Sequence, residues 1–185
     1  MSRLKHITAD DLDASHKKFL ARPINLFRVL GNSPGALRVH HEFGEWIRWE
    51  CNTDGRLREL VILLVGILKR SPYEFSHHVE ISRMFDVTTA DVENLFRYRD
   101  GAAHGFTEAE TLALDMTRQL TETGEIADAT WDQAATHYSD EELCDIATII
   151  AFYNYVVLVL SGLRIDVEPE YEKYLTQFPF DKEWA

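Results

Sequence analysis

Apolar residues along this chain recur at three- and four-residue intervals, and polar or turn-forming stretches separate the runs. Residues 10–20 read as a first amphipathic helix. Ser33-Pro34, following Gly31-Asn32, opens a second that runs to about residue 51, because serine suits an N-cap and proline a first helical turn. Asn52-Thr53-Asp54-Gly55 is a turn signal, and residues 56–69 form a third helix. That helix is apolar nearly all round over residues 60–68, which predicts a central position. Ser71-Pro72 breaks it and starts a fourth helix over residues 73–85. Asp86-Val87-Thr88-Thr89 caps a short helix over 90–98, and Asp100-Gly101 marks a loop. Thr107-Glu108-Ala109-Glu110 and Ser139-Asp140-Glu141-Glu142 are capping boxes. They open helices to about residues 120 and 161, with Gly124 and Gly162 as stops. A further short helix covers 129–138. With no alternating strand pattern, the predicted fold class is all-α, a single domain over residues 1–185 with its core at about 35–168. The aromatic tail (Tyr171, Tyr174, Phe178, Phe180, Trp184) is expected to wrap over the body or a neighbouring subunit.

The fourth helix breaks the pattern in an informative way. At about 100° per residue, Phe75, Val79, Ile81, Met84 and Phe85 define a broad apolar arc. Glu74 and His78 fall near its middle, with Glu80 and Arg83 on the solvated side. A carboxylate and an imidazole four residues apart on one face can hydrogen-bond each other. Held inward, both have perturbed acidities, a common property of catalytic acids and bases. The pair is either such an acid/base couple or a buried hydrogen-bonded pair that fixes helix packing.

Composition narrows the classes of function. A formal net charge of −12 argues against a nucleic-acid surface and gives no support to an anionic-membrane surface. Cys51 and Cys144 are far apart and form no CxxC, so neither a disulfide framework nor a thiolate zinc site is expected, and a reducing, cytoplasmic setting fits. The N-terminus lacks a signal-peptide core, and the apolar run at 146–160 is shorter than a membrane span and reads as a buried core helix. No P-loop, GxGxxG or GxSxG occurs. His40-His41 on the second helix lack a linked third and fourth ligand, so no metal is expected. His104 and His137 read as exposed, and Trp46 and Trp49 as core or subunit contacts. Arg56 and Arg58 read as surface or interface residues, one of them available to hold a substrate carboxylate. Glu59, near a helix N-terminus, is favoured there by the helix dipole. His77 sits at the edge of the apolar arc, and Asn154 interrupts an apolar run, where it either bonds across helices or lines a pocket.

The stretch Arg56-Leu57-Arg58-Glu59-Leu60-Val61-Ile62-Leu63, followed by Tyr73-Glu74-Phe75 and His78, resembles the carboxymuconolactone decarboxylase family. Members of that family carry an RExxIL-type helix before a YEWxxH motif. Phe152-Tyr153-Asn154 and Asp166-Val167-Glu168-Pro169 extend the resemblance over roughly residues 35–170. It implies an all-α bundle that assembles into a trimer, a hexamer or a dimer. It also implies a cofactor-free lyase of aromatic catabolism acting on a small carboxylated lactone or cyclic compound. In that role His78 is the general acid/base, Glu74 orients it and Glu59 faces the same cavity, with Tyr73, His77 and Asn154 as substrate contacts. The related AhpD-type alkylhydroperoxidases carry a CxxC followed four residues later by histidine. The corresponding positions align with Tyr73, Ser76 and Glu80, so thiol peroxidase chemistry is not expected. The alternative from another class is a non-catalytic oligomer that binds a small molecule or a partner protein.

Overall fold

A computed structural model describes residues 2–179, and every regular element among them is helical. Two helices form the centre. The first, α3 (Gly55–Leu68), starts where the Asp54 side chain accepts from the Leu57 backbone N–H. From Leu57 to Ile67 every residue of α3 is buried. The second, α8 (Asp140–Leu163), begins at the expected Ser139–Glu142 capping box. It ends two residues later than the glycine stop predicts, with Arg164 taking the left-handed conformation at φ 51°. Around α3 and α8 pack α2 (Pro34–Trp49), α4 (Pro72–Ile81), α5 (Thr89–Arg99) and α6 (Glu108–Thr123). Short α7 (Asp128–Ala134) leans on α6.

Two apolar clusters share α3. Val61, Ile62 and Val65 face Ile146, Ile149 and Ile150 of α8 and Met116 of α6. Leu60, Leu63, Leu64 and Ile67 face Phe75 and Val79 of α4 and Leu95 of α5. The apolar circumference of α3 is therefore spent on opposite partners, as its sequence predicts. The tail closes the second cluster: α9 (Glu172–Gln177) and its flanks bury Tyr171, Tyr174 and Phe178. Phe180 and Trp184 lie outside the described residues.

Two local expectations fail for identifiable reasons. Residues 10–20 form two 3₁₀ turns (Ala9–Asp11 and Lys17–Leu20) in place of a helix. The Asp13 side chain accepts from the Ser15 and His16 backbone N–H groups and diverts the chain between the turns. A short helix, α1 (Asn25–Leu30), follows; six residues are too few to show periodicity. At Ser82–Phe85 the fourth helix tightens to 3₁₀, which shifts its phase and leaves Met84 64% exposed. Trp46 packs partly against the core, and Trp49, exposed on the protomer, is left with the subunit-contact alternative.

Close approach of α4 to α3 requires Gly66. A Cβ there would meet the Phe75 backbone nitrogen at 3.2 Å and its Cα at 3.4 Å. Gly66→Val should therefore destabilise the fold by roughly 1–3 kcal/mol through overpacking, measured by urea unfolding; unchanged stability would mean that the two helices separate freely.

Candidate active site

The proline and serine that start α4 set its phase, so Glu74 and His78 point at α3 and α8 rather than at water. Ser71 caps α4 by accepting from the Glu74 N–H, and Pro72 occupies its first turn. His78 then meets Glu59 of α3, with Nδ1 and Oε2 2.7 Å apart, while its Nε2 lies 3.1 Å from Glu74 Oε1. On the far side of Glu59, Arg58 Nε approaches Oε1 at 3.3 Å. All four side chains are buried. They alternate in sign when His78 is protonated: guanidinium, carboxylate, imidazolium, carboxylate.

This order holds the proton on the imidazole. Burial alone would lower the His78 pKa; Glu59, then Glu74, outweigh it and raise the value to about 9. Burial would likewise raise Glu59, but His78, Arg58 and Arg48 hold it below its ordinary range. Tyr153 of α8 meets the His78 ring edge-on, with centroids 5.1 Å apart. Burial, then the charges of Glu74 and Glu59, push its hydroxyl well above 10, so it stays neutral.

Glu74, His78 and Tyr153 line a cavity of about 160 Å³ between α2, α4 and α8, closed on one side by α1 and the segment before it. An apolar cavity of about 150 Å³ accommodates benzene, so this one is scaled to a single small ring. Arg22 and Arg48 bring positive charge to its wall. The Arg48 guanidinium makes no hydrogen bond or ion pair among the described residues.

Tyr73 and His77 also line the cavity, as anticipated, but their polar atoms are committed elsewhere. His77 Nε2 lies 2.7 Å from Glu168 Oε2, and the Tyr73 hydroxyl donates to Glu168 Oε1 at 3.1 Å. Burial would raise Glu168, yet His77 and the Asn25 backbone N–H lower it. The His77 ring is stacked between Tyr73 and Tyr171 at 4.2 and 3.7 Å, which ties the tail to α4. Asn154 takes the cross-helix alternative, donating to Thr121 Oγ1 at 3.0 Å away from the cavity.

Several assignments are corrected. Arg58 is a buried partner of Glu59 that also donates to the Arg48 carbonyl at 3.0 Å, not a surface group. Arg56 is half-buried and anchors α3 to Asp91 and Glu110 at 2.7 and 3.1 Å, and neither arginine lines the cavity. His104 is only partly exposed, between Tyr98 and Phe106. Glu80, aligned above with the peroxidase histidine, is exposed and accepts from the Tyr174 hydroxyl. Of the histidines that line the cavity, His78 is the one held between Glu59 and Glu74, and the same spacing counted back from it places the two cysteine positions at Ser71 and Glu74. Neither register supplies a thiol.

Sequence reasoning missed Arg22, Arg48 and the orientation of His40. A signal was available for two of them: His40, Gly44 and Arg48 stand four residues apart on one face of α2.

Several solved structures share this architecture. They include an AhpD-core, peroxidase-related protein from Ralstonia eutropha JMP134 (TM-score 0.80, 17% identity, covering 92% of this chain and 94% of that one). A peroxidase-related protein from Silicibacter sp. TM1040 has TM-score 0.72 and 20% identity, covering 92% and 97%. An alanine variant of the debrominase Bmp8, in complex with 2,3,4-tribromopyrrole, has TM-score 0.79 and 18% identity, covering 96% and 99%. At these identities the likeness establishes an AhpD-like fold. No protein-family model and no curated protein matches the chain.

The charged quartet carries a testable pH signature. His78 has a folded pKa of about 9 against an ordinary 6.5, so its contribution is complete below pH 6.5 and is lost as pH rises through 9. Glu59 behaves oppositely: its contribution is present above its ordinary 4.5 and is lost in acid. Between pH 6.5 and 9 the wild type should lose on the order of 3 kcal/mol more stability than His78→Gln, followed by urea unfolding. Parallel profiles would mean that His78 is neutral in the fold.

Proposed function

We propose that this protein is a cofactor-free general acid/base enzyme, a lyase similar to carboxymuconolactone decarboxylases, acting on a small carboxylated lactone or related ring. The observation that carries the reading is His78, kept protonated by Glu59 and Glu74 at the wall of a cavity the size of one ring. Arg48 and Arg22 supply positive charge for a carboxylate despite the net acidity of the chain.

In the proposed reaction the substrate's ring–carboxylate C–C bond breaks and CO₂ departs. The bonding pair stays on the ring, delocalised into the unsaturated lactone. The His78 imidazolium then delivers its proton to the ring carbon, and solvent returns a proton to the site. No electrons leave the substrate, so no oxidant or reductant is needed. Glu59 and Glu74 tune the donor, because both stabilise the charged imidazole and weaken it as an acid by the same amount. The neighbours' names include peroxidase-related and debrominase labels, but the cavity residues here include no cysteine.

The rival reading, an oligomer that only binds, is favoured by an exposed histidine of ordinary acidity. A buried, strongly perturbed His78 supports catalysis instead. The same proposal includes assembly into a homo-oligomer in the cytoplasm, as a trimer or hexamer, with a dimer as the alternative. Exposed Val39, Tyr155 and Leu158 supply apolar surface for it.

Loss of 4-carboxymuconolactone, followed by ultraviolet absorbance, tests the proposal. Wild type should turn over and His78→Ala should fall by a factor of roughly 10²–10⁴ while remaining folded. Gly44→Leu offers a second check, because a Cβ at Gly44 meets nothing within 4 Å and the added side chain would occupy the cavity. It should block turnover with little loss of stability. Absence of turnover in the wild type would remove this lactone as the substrate, and full activity in His78→Ala would remove His78 from the mechanism.

A further inference from the structure

His40 is a buried polar group for which the fold itself provides no partner. It lies on the cavity face of α2, four residues before Gly44, and is only 6% exposed. Neither ring nitrogen makes a hydrogen bond among the described residues, and Nδ1 is enclosed with no partner at all. The surroundings are aromatic: Phe152 at 5.3 Å, Tyr155 at 5.8 Å and Phe27 at 5.9 Å between ring centroids. Buried polar side-chain atoms are nearly always paired, and leaving one unpaired is costly. Nδ1 stays enclosed whatever binds, but Nε2 is not enclosed and is equally without a partner, so it is the nitrogen at which a group arriving from outside can add a hydrogen bond.

We propose that His40 is a substrate-binding residue whose uncharged imidazole donates a hydrogen bond to a carbonyl or lactone oxygen, while the substrate carboxylate lies at Arg48. The titratable groups that act on it are Glu74, across the cavity, and neighbouring His41. Burial pushes His40 down to about 4, with Glu74 opposing and His41 assisting, so the ring is neutral at physiological pH. A neutral imidazole has one N–H and one lone pair. Placing the lone pair on enclosed Nδ1 leaves the N–H on Nε2, the nitrogen that a ligand can reach. A neutral donor suits an uncharged oxygen, and it polarises a carbonyl without surrendering its proton. The inference deepens the proposed function by assigning the residue that holds the ring's carbonyl-type oxygen, apart from the one that holds its carboxylate. It rests on that reading for the identity of the cavity, but not on any turnover.

The probe is 2(5H)-furanone, an uncharged unsaturated lactone, added to full-length protein carrying ¹⁵N-labelled histidine rings. Furanone should shift the His40 ring signals saturably, and Gly44→Leu should abolish the shift. His40→Phe should weaken furanone binding by roughly tenfold. Because it replaces an unpaired polar ring with an apolar one, its Tm should equal or exceed that of the wild type. His40→Gln, which restores an amide donor, should bind furanone better than His40→Phe does. A silent His40 up to the solubility limit of furanone would overturn the proposal. So would a lowered Tm in His40→Phe with furanone binding intact, the mark of a purely structural residue. A furanone response without decarboxylation of 4-carboxymuconolactone would remove that lactone as the substrate and leave His40 standing. Turnover with a silent His40 would do the reverse.

Discussion

A protonated imidazole cannot sit alone in a protein interior, and the contacts that hold His78 organise much of this molecule. Its charge is balanced by Glu59 and Glu74, and Glu59 is balanced in turn by Arg58. That order fixes the register of α4 on α3, because a shift of one residue would leave carboxylates buried without a cation. It also explains why α3, apolar along most of its length, carries Arg58 and Glu59 where α4 crosses it. Removing one member of a buried ion pair typically costs about 3–5 kcal/mol, so the charges lock the site as well as arm it.

The cavity depends on elements distant in sequence. α2 contributes His40 and Arg48, α4 the acid/base pair and α8 Tyr153. A second polar network braces the opposite side. Glu168 receives His77, Tyr73 and the first backbone N–H of α1, so the segment after α8 and the N-terminal region are tied to the same turn of α4. The two carboxylates serve different ends. Glu74 stands at the cavity beside the titrating group, whereas Glu168 secures the wall.

Much of this was legible in the sequence where local chemistry is strong. The all-α class, the central α3 and the boundaries set by Ser71-Pro72, Thr107–Glu110 and Ser139–Glu142 follow from periodicity and capping. Glu74 and His78 stood out because ionisable residues interrupt an apolar arc. The errors occur where tertiary or side-chain contacts override periodicity. Asp13 diverts a segment patterned as a helix, and the 3₁₀ turn after Ile81 swings Met84 outward. Arg58 resembled a surface residue because nothing local shows that it backs Glu59. His40 carried no assigned role in the sequence, because only the packing of α1 and α8 places aromatic rings around it. Register along one helix is a local property, whereas the residues that share a cavity are chosen by the crossing of several.

The most direct test of the central claim is an NMR titration of the His78 ring nitrogens in wild type and in Glu59→Gln. The account predicts that wild-type His78 carries protons on both nitrogens at neutral pH and titrates near 9. In Glu59→Gln burial faces only Glu74, and the titration should fall toward or below the ordinary 6.5. A wild-type His78 that is neutral at pH 7, or a titration unmoved by Glu59→Gln, would contradict it.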